Sequence, residues 1–141
     1  MTAREYLKQL QNLDMAINSN IATLEAMRLA ATGQGAIQYD RERVMTSPQD
    51  RLCDDICDIL TLNEHINEQI DRFVDLKGKI IGQIIGLSGD QDQRDILMKV
   101  YVEYKTNRQV AYDLKKSMSF VFAMKAKALK MFERQYPQYL V

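Results

Sequence analysis

A chain of 141 residues, 46% of them hydrophobic and 27% charged, has room for one ordinary domain or for a small domain with a helical extension. It carries enough apolar mass for a core, which excludes intrinsic disorder. Six Gly, two Pro, no Trp and eight Met, beside abundant Leu, Ile, Ala, Lys and Gln, favour helix and leave little room for an all-β fold.

The first helix announces its start with Thr2-x-x-Glu5, a capping box in which each side chain satisfies an orphan backbone NH of the first turn. Tyr6, Leu10, Leu13, Ile17, Leu24 and Met27 then recur on steps of four and three, with Asn20 between Ile17 and Leu24, which predicts a heptad seam. Gly33-Gln34-Gly35 suits its end. A polar loop to about Thr46 follows. Ser47-Pro48-Gln49-Asp50 restarts the helix, with Ser47 as N-cap, Pro48 in the first position and Asp50 in the positive first turn.

The second helix holds the same rhythm through Leu52, Ile56, Ile59, Asn63, Ile66, Ile70, Phe73, Lys77, Ile80, Ile84 and Leu87. Two such stripes joined by a turn predict an antiparallel helical hairpin, coiled-coil-like, over residues 1–89. Asn63 and Lys77 on the seam either fix register or mark where it opens to water. Gly78, Gly82 and Gly86 form a smooth strip, read as tight helix packing ahead of a docking face. Gly89 ends the helix, and Asp90-x-x-Gln93 is positioned to cap the next.

Residues 90–141 then read as a three-helix head. Its first helix runs from about Gln91 to Lys105 with Ile96, Leu97, Val100 and Tyr101 inward. Thr106-x-x-Gln109 opens a second, with Val110, Ala111 and Leu114 inward, and a third runs from Ser117 to Gln135, where Tyr136-Pro137 stops it. A small residue, Ala111, with apolar Val110, Leu114, Val121 and Met124 around it, is the spacing of a helix-turn-helix over residues 107–126. The formal net charge of zero is split: residues 1–89 hold 9 Lys/Arg against 13 Asp/Glu, and residues 90–141 hold 10 against 6. The C-terminal third is therefore the part expected to approach a polyanion. Lys127, Lys130 and Arg134 share one face of the last helix and are placed to reach phosphates together.

Signals for chemistry are weak. Cys53 and Cys57 lie one helical turn apart and are expected as reduced, partly buried small hydrophobes rather than a disulfide. His65 has no second His or Cys to complete a metal site, and Asp54, Asp55 and Asp58 read as a solvated helix face. There is no Gly-rich phosphate loop and no nucleophile with an adjacent base. The expectation is a non-enzyme with no cofactor and no metal. No run approaches the ~20 apolar residues of a membrane span, so a cytoplasmic location without membrane contact is expected.

Thr2-Ala3-Arg4-Glu5-Tyr6-Leu7, Leu13-Asp14-x-x-Ile17-Asn18-Ser19 and Glu68-x-x-Asp71-Arg72-Phe73-Val74-Asp75-Leu76-Lys77, followed by a C-terminal helix-turn-helix, resemble a family of small phage and prophage proteins of Gram-positive bacteria. They are termed sigma-factor-like because their last helices are similar to region four of RNA polymerase sigma factors. Matching positions are Tyr101, Thr106, Val110-Ala111, Ser117, Val121 and Ala128-Leu129. The chain departs from the family at Asn107, where a Trp is usual, at Lys115-Lys116 for a Gly-Tyr turn, and at Ser119, Phe120 and Ala123 for base-facing arginines.

The resemblance implies a phage-encoded, sigma-like transcription regulator in the cytoplasm of the bacterial host cell that binds double-stranded DNA and RNA polymerase. In that reading Thr106, Arg108, Lys115 and Lys116 hold backbone phosphates, while Ser119, Phe120, Ala123, Lys127 and Lys130 face the groove. The alternative expectation is a helical adaptor that binds a protein through Met118, Phe120 and Phe122. Heptads continuing past a shorter partner add the expectation of a homodimer.

Overall fold

The computed structural model describes residues 1–32 and 48–141, the side chains of 48–52 excepted, and every regular element among them is helical. The chain is all-α, as its composition implies. In order come α1 (Ala3–Thr32), α2 (Pro48–Ile85), α3 (Gln91–Leu97), α4 (Asn107–Leu114) and α5 (Met118–Gln135). A π-helical turn, Met98–Val102, extends α3, and a 3-10 turn, Pro137–Tyr139, follows α5. The expected interhelical loop and the Ser47 cap lie outside the described residues, and so do the side chains of Pro48, Asp50 and Leu52.

Local capping chemistry sets most of the helix starts. Glu5 N donates to Thr2 Oγ1 at 3.2 Å and Thr2 N to Glu5 Oε2 at 3.0 Å. The same reciprocal pair opens α4, with Gln109 N to Thr106 Oγ1 at 3.2 Å and Thr106 N to Gln109 Oε1 at 2.9 Å. Ser117 accepts from Phe120 N at 3.1 Å ahead of α5. The box expected at Asp90-x-x-Gln93 does not form, because the Asp90 side chain makes no cap bond. Gln93 turns inward instead, 8% exposed. Arg94 reaches back to the carbonyls of Leu87 at 3.0 Å and Gly89 at 2.8 Å.

The contacts divide the chain into two compact units: Met1–Asp14 with Phe73–Val141, and Met15–Arg72. Where the sequence suggests a boundary at Gly89, the first unit draws in both ends of the helical pair. The physical reason is cover for α5. Ala128 and Phe132 of α5 are fully buried in one core with Tyr6, Leu7 and Leu10 of α1, Ile80 and Ile84 of α2, and Leu97. Nearer the start of the same helix Val121 joins Ile96, Val110 and Ala111 in a second core, with Leu114 and Met124 packed against it. These are the inward positions the spacing predicts for the head.

The end of α2 is held by the end of α5. Orphan carbonyls of a helix C-terminus need donors, and Tyr136 Oη donates to Gln83 O at 2.9 Å while Gln135 Nε2 donates to Gly86 O at 2.7 Å. A Cβ on Gly86 would stand 3.2 Å from Tyr136 Oη, so glycine is what lets the phenol in.

In the second unit Ile17 and Leu24 of α1 and Ile66 of α2 are buried, and Asn20 Nδ2 donates to Gln69 Oε1 at 2.8 Å. In the first unit Tyr6 Oη donates to Gln83 Oε1 at 3.0 Å. Moving two heptads forward on α1 moves the partner two heptads back on α2, which is the antiparallel hairpin the stripes imply. The seam of α2 needs one correction. Ile56 and Ile70, expected inward, are 46% and 38% exposed, while Gln69 and Gln83 are 8% and 7% exposed. Each glutamine accepts a hydrogen bond from α1; Gln69 thereby occupies the place an apolar pattern assigns to Ile70, whereas Gln83 is buried in addition to Ile84.

The glycine strip is also corrected in part. A Cβ on Gly78 or Gly82 would meet nothing within 4 Å, so neither serves helix packing among the described residues. In an exposed helix interior Gly costs roughly 0.5–1 kcal/mol relative to Ala. Gly78→Ala and Gly82→Ala should each raise stability by about that amount in urea denaturation. Phe132→Ala should lower it by about 3–5 kcal/mol.

Candidate nucleic-acid interface

The inward positions of α5 decide which of its residues remain for solvent. With Val121, Ala128 and Phe132 buried, a helix advancing 100° per residue turns Ser119, Ala123, Lys127, Lys130 and Arg134 to the other side, and all five are exposed. The acid on α5, Glu133, is half-buried and accepts from Ala3 N at 3.0 Å. Its charge is thus spent on the start of α1, where a helix dipole favours it. Lys127, Lys130 and Arg134 enter no ion pair among the described residues.

Two turns of chain bring further cations close in sequence to that stripe. α4 and α5 are joined by Lys115–Ser117, and Lys115 takes the left-handed conformation, φ 56 and ψ 43, a cost that glycine would avoid. Lys115 and Lys116 are exposed, and the Lys116 ammonium sits 5.1 Å from the centroid of the Phe120 ring. Phe120 is half-buried beneath it, unlike the other expected groove positions. Arg108 is exposed in the first turn of α4. Thr106 is exposed too, but its hydroxyl oxygen already accepts the cap bond, and it lines a cleft with Tyr101, Asn107 and Lys125.

Exposed apolar groups share the region. Tyr112 is 84% exposed, Phe122 51% and Met118 38%. Asp113 takes Lys105 at 2.6 Å and Lys99 at 4.0 Å, and Glu103 takes Lys105 at 3.4 Å. By sequence the first unit holds 14 Lys/Arg against 9 Asp/Glu, and residues 15–72 hold 5 against 10. The charge split therefore follows the compact units more sharply than it follows a cut at Gly89.

Cys53 and Cys57 are free and exposed, which corrects their partial burial: both lie on the side of α2 turned away from Ile59 and Ile66. His65 is exposed on the same helix. Among the described residues no group of His, Cys, Asp and Glu is placed to hold a metal ion, and no helix is long and apolar enough to cross a membrane.

Sequence reasoning passed over Arg4, Lys8 and Tyr104, which converge beside the head. One signal was available, because two cations in the opening turns of a helix oppose its dipole. Tyr104 adopts φ 59, and its hydroxyl is pushed up to about 12, by burial first and then by the charge and hydrogen bond of Asp14. Comparison with protein-family models, curated proteins and solved structures finds no match to this chain.

A raised phenol pKa means that the folded state binds its proton more tightly than the unfolded one. The associated stability is present below pH 10, the ordinary value, and is lost as pH rises through about 12. Tyr104→Phe should flatten that alkaline decline in thermal melts and remove the last phenolate to appear in an absorbance titration.

Proposed function

We propose that this chain binds double-stranded DNA through α4, its following turn and α5, acting by recruitment rather than by chemistry. The observation that carries the reading is the outer side of α5, where Lys127, Lys130 and Arg134 stand without a carboxylate partner among the described residues. A helix whose one side is locked into two cores and whose other side is cationic has the form of a groove-entering element. Lys115, Lys116 and Arg108 are the phosphate-holding groups. Ser119 and Ala123 are small enough to let α5 approach base edges closely, but they offer little hydrogen-bond discrimination. The binding is therefore expected to depend strongly on salt and weakly on sequence.

The resemblance to sigma-factor-like phage proteins supports a role in transcription, with RNA polymerase as the protein partner. A protein-binding adaptor is the second reading, favoured by exposed Met118, Phe122 and Tyr112, since apolar and aromatic groups of this kind anchor interfaces. Self-association is supported by Ile56, Leu60 and Ile70, which share one side of α2 in the second unit and are 46%, 56% and 38% exposed. Apolar residues aligned at helical spacing on a long helix suit the face of a second copy.

Gel shifts with random duplex separate these readings. Lys127→Glu combined with Lys130→Glu should abolish a binding that weakens steeply between low and moderate salt, and unchanged binding rejects this face. Phe122→Ala should leave duplex binding intact under the DNA reading. A dimer in sedimentation equilibrium should be dispersed by Leu60→Lys, and a monomer at every concentration ends the homodimer proposal.

A further inference from the structure

A cleft of about 360 Å³ opens among the start of α1, the π-helical turn, the start of α4 and Lys125 of α5, all within the first unit. Arg4, Lys8 and Lys125 line it, and no carboxylate does. A fourth cation, Lys105, is already held by Asp113 and Glu103. The other three enter no ion pair among the described residues. Lys125 makes a long contact to Asn107 Oδ1 at 3.5 Å and lies 5.8 Å from the Tyr101 ring centroid. Its ammonium is held below the ordinary lysine value, by burial first and then by the charges of Arg4 and Lys8. Mutually repelling cations gathered around one opening are a complement awaiting an anion.

A second, independent feature lies in the same wall. Tyr101 is 6% exposed, and its buried hydroxyl has no hydrogen-bond partner among the described residues. Buried polar groups are overwhelmingly satisfied, so an orphan donor at the edge of a cationic cleft points to an acceptor supplied from outside. The residue sits in the π-helical turn Met98–Val102, a distortion frequent at functional positions.

We propose that this cleft is a phosphate-recognition site, in which Arg4, Lys8 and Lys125 neutralise the anion and the Tyr101 hydroxyl donates the neutral hydrogen bond. Three cations exceed what a single carboxylate requires and suit either a phosphomonoester, whose charge approaches two at neutral pH, or neighbouring phosphodiesters of a nucleic-acid backbone at one charge each. Arg4 adds a planar fork that matches two phosphate oxygens at once. The phosphate belongs either to a small free phosphoester or to the backbone of a nucleic acid. The site uses none of the outer residues of α5, so it stands or falls separately from the duplex-binding face.

Pyrophosphate titrated into the full chain, followed by calorimetry and thermal melting against sodium chloride at matched ionic strength, tests the site. The expected result is saturable binding and a raised melting temperature. Tyr101→Phe, which removes only the orphan hydroxyl, should melt no lower than the parent yet bind pyrophosphate at least ten-fold more weakly. The exposed-residue variant Arg4→Gln should also lose ten-fold or more. Lys127→Glu with Lys130→Glu should leave pyrophosphate binding unchanged. If Tyr101→Phe also weakens duplex binding, the natural phosphate is a nucleic-acid backbone; if duplex binding is unaltered while pyrophosphate binding falls, it is a free phosphoester. No stabilisation beyond that given by chloride, or parental affinity in both Tyr101→Phe and Arg4→Gln, overturns the proposal.

Discussion

Burial of Phe132 is the interaction on which the first unit depends. Its ring lies 5.8 Å from that of Tyr6 and 4.9 Å from that of Tyr136, so the first helix and the C-terminal turn meet on one side chain of α5. Phe132 is fully buried alongside Ile80, Ile84 and Leu97, which ties the end of α2 and the end of α3 to the same point. A fully buried aromatic is among the largest single hydrophobic contributions available to a domain of this size. Because Val121 commits the opposite end of α5 to a second core, the helix has no freedom to rotate, and the identity of its solvent side follows from that constraint.

The hairpin follows a different logic. Apolar seams alone tolerate slippage by a heptad, since one leucine or isoleucine replaces another at little cost. Tyr6 with Gln83 and Asn20 with Gln69 do not slide, because a shift would leave buried donors and acceptors without partners. Polar pairs at two heights specify register at a cost in stability, the role known for buried Asn in coiled coils. Some of that cost is visible, for Gln83 Nε2 is buried and has no partner among the described residues.

Features encoded over a few residues were legible in the sequence. The boxes at Thr2–Glu5 and Thr106–Gln109, the Ser117 cap and the inward set Val110, Ala111 and Val121 need only local backbone geometry and a helical period. Asp90 was misread because its competitor is tertiary: Arg94 supplies donors to the nearby carbonyls, and Gln93 is drawn inside. Gln69 and Gln83 were missed because a hydrophobic pattern ranks Ile70 above a glutamine whose partner lies on the other helix. The stripe Lys127, Lys130, Arg134 was readable from spacing on one helix. The cleft was not, since Arg4, Tyr101 and Lys125 come from three distant segments and no periodicity links them.

α5 carries cations into two unlike surroundings within three residues. At 100° per residue, Lys125 and Lys127 point in widely different directions. Lys125 is half-buried over the Tyr101 ring, whereas Lys127 is exposed. Water screens the exposed lysines, so their attraction for an anion is long-ranged at low salt and weak at contact. The half-buried lysine has lost part of its hydration to the fold, and an arriving anion meets it in a lower dielectric where each charge-assisted bond is stronger. The same rigid helix therefore offers a diffuse, salt-dependent surface on one side and a confined, stereochemically demanding one on the other. The separation rests on Phe132 and Val121, which hold the helix at a single angle about its own axis.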